Sequence, residues 1–406
     1  MTVKIANHLA FNFFCECHDV ASPFVKLSRS PYSQPKPLIG PVTGSNYTRV
    51  SPRLCYVMPG AGIIASMSDN YALYRTMLLI RRFEERALAE FSTGKLVGTT
   101  HAYIGEEADA AAIFSLTDPG DVVFSNHRCH GHFLAYGGDP YRLAAELMGK
   151  ATGLVGGRGG SQHIQWRNFY SNGIQGGIVP VATGMALAGK AQKTGQIALV
   201  FIGDGTLGEG ALYESLNIAA LWRIPILYVV EDNRFAQTTP VEKGLAGSIA
   251  ARFTAFGIKT WELDSSDVLA IQPLAAEALG HVRGAQLPAA LILHTYRFSA
   301  HSKGDDPRDR ETIAKIRAQF DPLAIHTPRL SPAELAQAEA EVSVVINDAF
   351  SRAASDSFPV LQLSSFPVQP DNRITGQPAN RPTGQPANRK TVLVSLNSAL
   401  HHALET

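Results

Sequence analysis

Residues 196–233 read QIALVFIGDGTLGEGALYESLNIAALWRIPILYVVEDN. Two apolar runs, QIALVFIGDG (196–205) and IPILYVVEDN (224–233), have the Val/Ile/Leu content of buried strands, and Glu209 to Trp222 between them has helical character. A third run, AALILHTYRF, follows at 289–298. Strand–helix–strand repetition with short links predicts an α/β fold, a parallel sheet sandwiched by helices. In such sheets ligands sit beyond the carboxyl ends of the strands, and Asp204, Asn233 and His301 all follow strand ends.

The chemistry of those ends is specific. Magnesium takes near-octahedral oxygen ligands and usually keeps phosphate oxygens in its shell. Asp204 at one strand end and the Asn233 amide at the next would supply two ligands, and the chain reversal at Phe235 offers a backbone carbonyl as a third. Gly203 and Gly205 allow a tight turn and close approach of a diphosphate, which the amides opening the next helix, from Thr206 on, would face. A lone Gly-Asp-Gly is a common turn. The strand-end Asn, one helix and one strand later, makes the pattern specific.

Outward from this centre, a helix start is read at Ser68-Asp69-Asn70, with Leu73, Met77, Ile80, Phe83 and Leu88 on one face. Residues 1–66 are rich in Ser, Pro, Asn and Gly, with no acid between Asp19 and Asp69, and are expected to be a disordered or targeting-like extension. Residues 67–355 are expected to form the main domain. Within 356–389, TGQPANR occurs at 375–381 and again at 383–389, a composition that cannot bury a core and reads as a linker. The 406 residues carry a net charge of +1, which gives no basis for a nucleic-acid partner, and no apolar run is long enough for a membrane span. Cys15, Cys17, Cys55 and Cys129 make no disulfide framework, so a reducing compartment such as a bacterial cytoplasm is expected.

The stretch from Gly203 through EDNRFAQTTP resembles the thiamine-diphosphate fingerprint of the alpha subunits of pyruvate, branched-chain 2-oxo acid and acetoin dehydrogenase complexes, and the resemblance runs from about 70 to 325. It implies a thiamine-diphosphate-binding fold with magnesium as second cofactor. THAYIGEEADAAA (100–112) resembles the segment in which a His, here His101, contacts the cofactor. SNHRCHGHFLAYG (125–137) resembles the segment whose Tyr-Arg pair holds the diphosphate; Arg128 matches, while His127 stands in place of Tyr. GGRGGSQHIQ and SNGIQGGIVPVATGMALA resemble stretches lying along the cofactor, with Gly173 and Gln175 where the family binds the pyrimidine side through backbone. TYRFSAHSKGDDPRDRETI resembles the active-site loop, with His301 as its histidine and Ser302 where some relatives are phosphorylated. The family usually has Asn where this chain has Asp232. Asp204, Gly205, Thr206 and Asn233 complete the implied cofactor set, Asp204, Asn233 and Phe235 the implied metal set, and His101 and His301 the implied catalytic pair.

The resemblance further implies decarboxylation of a small 2-oxo acid, with acyl transfer to the lipoyl domain of an acyltransferase, in a hetero-oligomer. Its activating Glu belongs to a beta subunit, and no segment here resembles the one that carries it. RKTVLVSLNSALHHALET (389–406) looks like the opening of such a subunit, as in an alpha–beta fusion. A non-oxidative thiamine-dependent transferase and a non-catalytic assembly subunit are the alternatives. Four local features invite other readings. His127, His130 and His132 suggest zinc but lack a matching second pair. GLVGGRGG (153–160) resembles a phosphate loop without its Lys-Ser/Thr ending. Glu106-Glu107 is expected to be a solvated helix start rather than an acid–base pair. The 301–310 loop, flanked by Arg308 and Arg310, is expected to be ordered near an anion.

Overall fold

Helix α1 (Asp69–Ser92) opens the computed structural model, which describes residues 69–96, 98–302 and 304–360. Its stripe is the expected one: Leu73, Met77, Ile80 and Phe83 are buried and Leu88 is half-buried. Arg81 and Glu84 are buried on the same helix, because each has a fixed polar partner elsewhere in the fold. There follow α2 (Glu107–Phe114), β1 (Val122–Ser125), α3 (Cys129–Ala135) and α4 (Pro140–Leu147). The antiparallel pair β2 (Gln165–Trp166) and β3 (Phe169–Ser171) precedes α5 (Gln175–Gln192), β4 (Ala198–Gly203), α6 (Gly210–Leu221) and β5 (Ile226–Asp232). A ribbon of β6 (Phe235–Ala236) and β7 (Thr239–Pro240) leads through α7 (Val241–Gly244) and α8 (Ile249–Thr254) to β8 (Lys259–Asp264), α9 (Val268–Ala285) and β9 (Ala289–His294). Helices α10 (Arg310–Phe320), α11 (Pro322–His326) and α12 (Pro332–Ser355) complete the described chain, the last started by a Ser331/Glu334 capping box.

Seven strands form one sheet in the order β2-β3-β1-β4-β5-β9-β8, parallel except at the β2–β3 edge. Alternation along the strands divides the core. Leu199, Phe201, Leu227, Val229, Leu291 and Leu293 pack on the face covered by α1, α2, α9 and α12, whereas Val200, Ile202, Tyr228, Val230 and Ile292 meet α5, α6 and α8. This is the expected sheet covered on both sides, and the central strands read as continuous apolar runs because both faces are buried. Register pairs Gly203 with Glu231 and Asp232 with His294, so the residues that follow β4, β5 and β9 emerge at one edge. No helix among the described residues is long and apolar enough to cross a membrane. The extension 1–66, both TGQPANR copies and the segment 390–406 lie outside the described residues.

Candidate active site

A cavity of about 260 Å³ opens beyond the carboxyl ends of β4 and β5, where Asp204, Asn233 and Phe235 meet Glu106, His127 and Arg128. Gln175, Gly205 and His301 also line it. Gly205 sits where a Cβ would lie 3.1 Å from Ala236, so the Gly-Asp-Gly turn and the β6 ribbon are in close approach. The structure therefore brings together the loop tips that the sequence singled out.

Asp204 is 4% exposed, and its Oδ2 is buried without a hydrogen-bond partner. Burial, reinforced by the nearby charge of Asp232, pushes its pKa up to about 7. A carboxylate so placed is costly unless a cation or proton joins it. On the neighbouring tip, Asn233 donates from Nδ2 to Glu106 Oε1 at 3.1 Å, and its Oδ1 accepts from the Phe235 amide at 3.4 Å. Among the described residues no group of three or more His, Cys, Asp or Glu is arranged for a metal ion. One carboxylate, one amide oxygen and a carbonyl cannot cage a cation by themselves. They do fit magnesium, which takes the rest of its shell from water and phosphate.

The other wall carries nitrogen. The rings of His101, His127 and His301 lie with centroids 4.7 to 5.1 Å apart. Burial first, then the Arg128 charge, lowers the pKa of His101 to about 3, that of His301 to about 4 and that of His127 well below the ordinary value. All three rings are neutral near pH 7. Gln162 donates to His101 Nδ1 at 2.9 Å, and Gln175 donates to His127 Nδ1 at the same distance. Arg128 is buried, donating to the Ala102 carbonyl at 2.6 Å, lying 3.5 Å from His301 Nδ1 and 3.6 Å from Glu106 Oε2. Gly173 leaves room for the Gln162 carboxamide that holds His101, since a Cβ there would clash with Gln162 Oε1. Thr206 is buried and donates to Gln175 Oε1 at 2.8 Å. Arg297, fully buried, has Nε and Nη1 without partners; burial and the charges of Arg128 and Arg308 lower its pKa to about 10.

The cavity wall continues into a polar layer that sequence reasoning missed, reaching the wall through Glu106, Asn126 and Glu231. Glu231 accepts from Tyr103, from His132 Nε2 at 2.8 Å and from Asn126 at 3.1 Å. Burial alone would raise its pKa, but these contacts more than offset that and hold it low. Glu106-Glu107 is not a solvated helix start: the residues are 1% and 0% exposed. Glu107 takes two hydrogen bonds from Arg81, while Glu106 supports Asn233, and burial raises the Glu106 pKa to about 7. Asp109, one turn on, is fully buried with both oxygens unpartnered and a pKa raised well above the usual range by burial. The available signal was α2 itself: ADAAAIF has no polar face, so any acid on it had to be buried.

Other sequence readings resolve in turn. His130 pairs with Glu84 and Ser161, and His132 with Glu231 and Ser125, so neither converges with His127 on a zinc site. The phosphate-loop lookalike is filled from within, since the buried Glu146 carboxylate accepts from the backbone N–H groups of Val155, Gly157, Gly159 and Gly160 at 2.7 to 3.2 Å. In the 301–310 loop, Asp305 accepts from the Ser302 amide at 2.9 Å and Arg308 pairs with Asp306 at 2.7 Å. Arg308 also donates to the Arg297 and Ser299 carbonyls at 2.8 and 3.3 Å, tying the loop to the segment that follows β9, and Arg310 is exposed. Asp232 accepts from His294 at 2.7 Å, and His294 also reaches Glu262 at 3.0 Å.

Comparison with known proteins fits this geometry. The sequence pattern of the family described as "Dehydrogenase E1 component" matches residues 75–361. The alpha subunit of the pyruvate dehydrogenase E1 component from Rhizobium meliloti (strain 1021) is 38% identical over 312 residues, 73% of this chain and 90% of that protein. Its counterpart from Zymomonas mobilis is 38% identical over 266 residues, 64% of this chain and 75% of that protein. The alpha subunit of acetoin:2,6-dichlorophenolindophenol oxidoreductase from Bacillus subtilis (strain 168) is 39% identical over 246 residues, 59% of this chain and 74% of that protein. The chain belongs to the dehydrogenase E1 component family. Within it, the chain is a thiamine-diphosphate-dependent alpha component of a 2-oxo acid dehydrogenase, an oxidoreductase that works in a hetero-oligomer with a beta subunit.

Proposed function

We propose that the cavity at the β4 and β5 tips holds thiamine diphosphate through magnesium, and that the chain uses it to decarboxylate a small 2-oxo acid of the pyruvate class. One observation carries the metal assignment: a buried carboxylate oxygen of Asp204 with no partner, beside Asn233 on the adjacent strand tip. When bound, the cofactor supplies the nucleophilic carbon and the electron sink for decarboxylation. The chain supplies the rest. Asp204, the Asn233 amide and the Phe235 carbonyl hold the metal, with Gly205 and Thr206 shaping the turn. Arg128 and His127 face the diphosphate, and Gly173 and Gln175 border the pyrimidine side. His101 and His301, neutral at working pH, orient the substrate carboxylate and move protons at their ring nitrogens.

The substrate class is supported by relatives named for pyruvate and for acetoin. Acyl delivery to a lipoyl domain of an acyltransferase, and an activating Glu from the beta subunit, are part of the same proposal. A docking face supports the latter. Ile174, Val181 and Met185, spaced to share one side of α5, are 68%, 54% and 40% exposed, and α5 starts at Gln175 on the cavity wall. An apolar face of this kind marks an interaction surface. Residues 67–355 are taken as the cofactor-binding domain, 356–389 as a linker and 390–406 as beta-like, in a protein of the cytoplasm. A panel of pyruvate, 2-oxoisovalerate and acetoin, assayed with a beta partner and an artificial electron acceptor, tests the reading. Turnover of one 2-oxo acid, dependent on cofactor, magnesium and partner, is expected; robust turnover by the pure chain, or none with the partner, contradicts it.

A further inference from the structure

We infer that the Gln175 side chain is a positioning residue: it fixes His127 as an Nε2–H donor in the cavity wall and thereby sets the affinity of the site for a diphosphate group. This rests on the proposed cofactor reading and goes beyond it, because that reading gives position 175 only a place along the pyrimidine side. The orientation of the carboxamide is determined by its surroundings. Gln175 Oε1 accepts from the backbone N–H of Gly203 at 2.7 Å and from the Thr206 hydroxyl at 2.8 Å. A backbone N–H can only donate, so flipping the amide would set donor against donor. The Gln175 Nε2 is therefore committed as a donor, and it lies 2.9 Å from His127 Nδ1.

The tautomer of His127 follows. Its Nδ1 accepts, so in the neutral ring the proton sits on Nε2. The ring stays neutral because it is buried and because Arg128, His101, His301 and Arg297 surround it with positive or potentially positive charge. His127 Nε2 is itself buried without a hydrogen-bond partner, in a residue that lines the cavity. A buried N–H with no acceptor is costly, and beside Arg128 the acceptor that fits is an anionic oxygen. A tyrosine hydroxyl at position 127 would donate unaided. A neutral histidine donates from one ring nitrogen at a time, and the Gln175 N–H held at Nδ1 commits that proton to Nε2 while the same carboxamide grips the turn that carries Asp204.

The test has two independent arms. In the ¹⁵N spectrum of the labelled full chain without ligands, with His127 assigned by comparison with His127→Phe, Nε2 is expected to carry the proton and Nδ1 to be bare. Calorimetry then compares thiamine diphosphate and inorganic diphosphate, both with magnesium, on the wild type, Gln175→Met, His127→Phe and the double variant, each with its beta partner. Gln175→Met is expected to weaken both ligands by roughly tenfold to a hundredfold, the range for a hydrogen bond to a charged acceptor, and to add a clearly smaller loss in the His127→Phe background, where only its bonds to the Asp204 turn remain to be lost. A proton on Nδ1, an unchanged affinity, a loss confined to thiamine diphosphate, or an equal loss without His127 each overturns the inference. Should Gln175→Met fail to fold, a proton on Nδ1 in the wild-type spectrum, or an unchanged affinity in His127→Phe, still overturns the inference. If the wild type binds neither ligand while its His127 proton sits on Nε2, the proposed function fails and the tautomer assignment stands.

Discussion

Glu146 and Asp204 are both buried carboxylates beside glycine-rich turns, and the fold treats them in opposite ways. Glu146 accepts four backbone N–H groups and has no need of a ligand. Asp204 keeps one buried oxygen without a partner, and burial drives its pKa to about 7. The first arrangement satisfies the loop from within and so closes it to phosphate. The second leaves charge uncompensated at the edge of a cavity, which is how a fold holds a place for a cation. Glycine-rich sequence was present at both. What separates structure from function here is which polar atoms are left over.

The contrast is broken most forcefully at the cavity. Asp204→Ala should weaken magnesium-dependent cofactor binding by more than about a hundredfold, since changes behind a metal's ligands already cost roughly tenfold to a hundredfold. Unfolding stability should be unchanged or improved. Calorimetry with a parallel denaturant melt reads both, and normal affinity would remove Asp204 from the site. Glu146→Ala should show the reverse, a loss of about 3 kcal/mol in denaturant unfolding because several loop N–H groups lose their acceptor. Near-wild-type stability there would mean that water replaces the carboxylate at little cost.

Glu106→Gln falls between the two. It keeps the volume that supports Asn233 but removes a buried charge, so metal affinity should drop roughly tenfold while stability holds. Titration of magnesium against the variant, with melting curves alongside, would expose a purely structural role if stability fell instead. The smallest effect belongs to His294. Its pKa is raised, first by its hydrogen bond to Asp232, then by Glu262. A folded value above the unfolded one means that the contribution is complete below the ordinary 6.5 and is lost as pH rises through the folded value. Stability should therefore decline over that range, and His294→Asn should flatten the decline; identical profiles would exclude the linkage.

The framework of the site was legible because it is local. The β4 and β5 runs announce themselves by composition, their tips by Gly-Asp-Gly and Asp-Asn, and the parallel arrangement places those tips side by side. The supporting layer was not legible, since its partners are distant in sequence: Tyr103 meets Glu231, Asn233 meets Glu106, and Gln162 meets His101 only after folding. Glu106-Glu107 misled because adjacent acids on a helix normally point to water. The alanines around them, which allow α2 to pack deep in the core, reverse that expectation. The loop at 153–160 misled for a related reason, as nothing in its own residues shows that Glu146 already fills it.

The most direct measurement is calorimetric titration of the full chain, with its beta partner, by thiamine diphosphate in the presence of magnesium and then of a chelator. Saturable heat that disappears with the metal is the predicted result. Equal binding without magnesium, or no binding in either condition, would contradict a shared metal–diphosphate seat at the ends of β4 and β5.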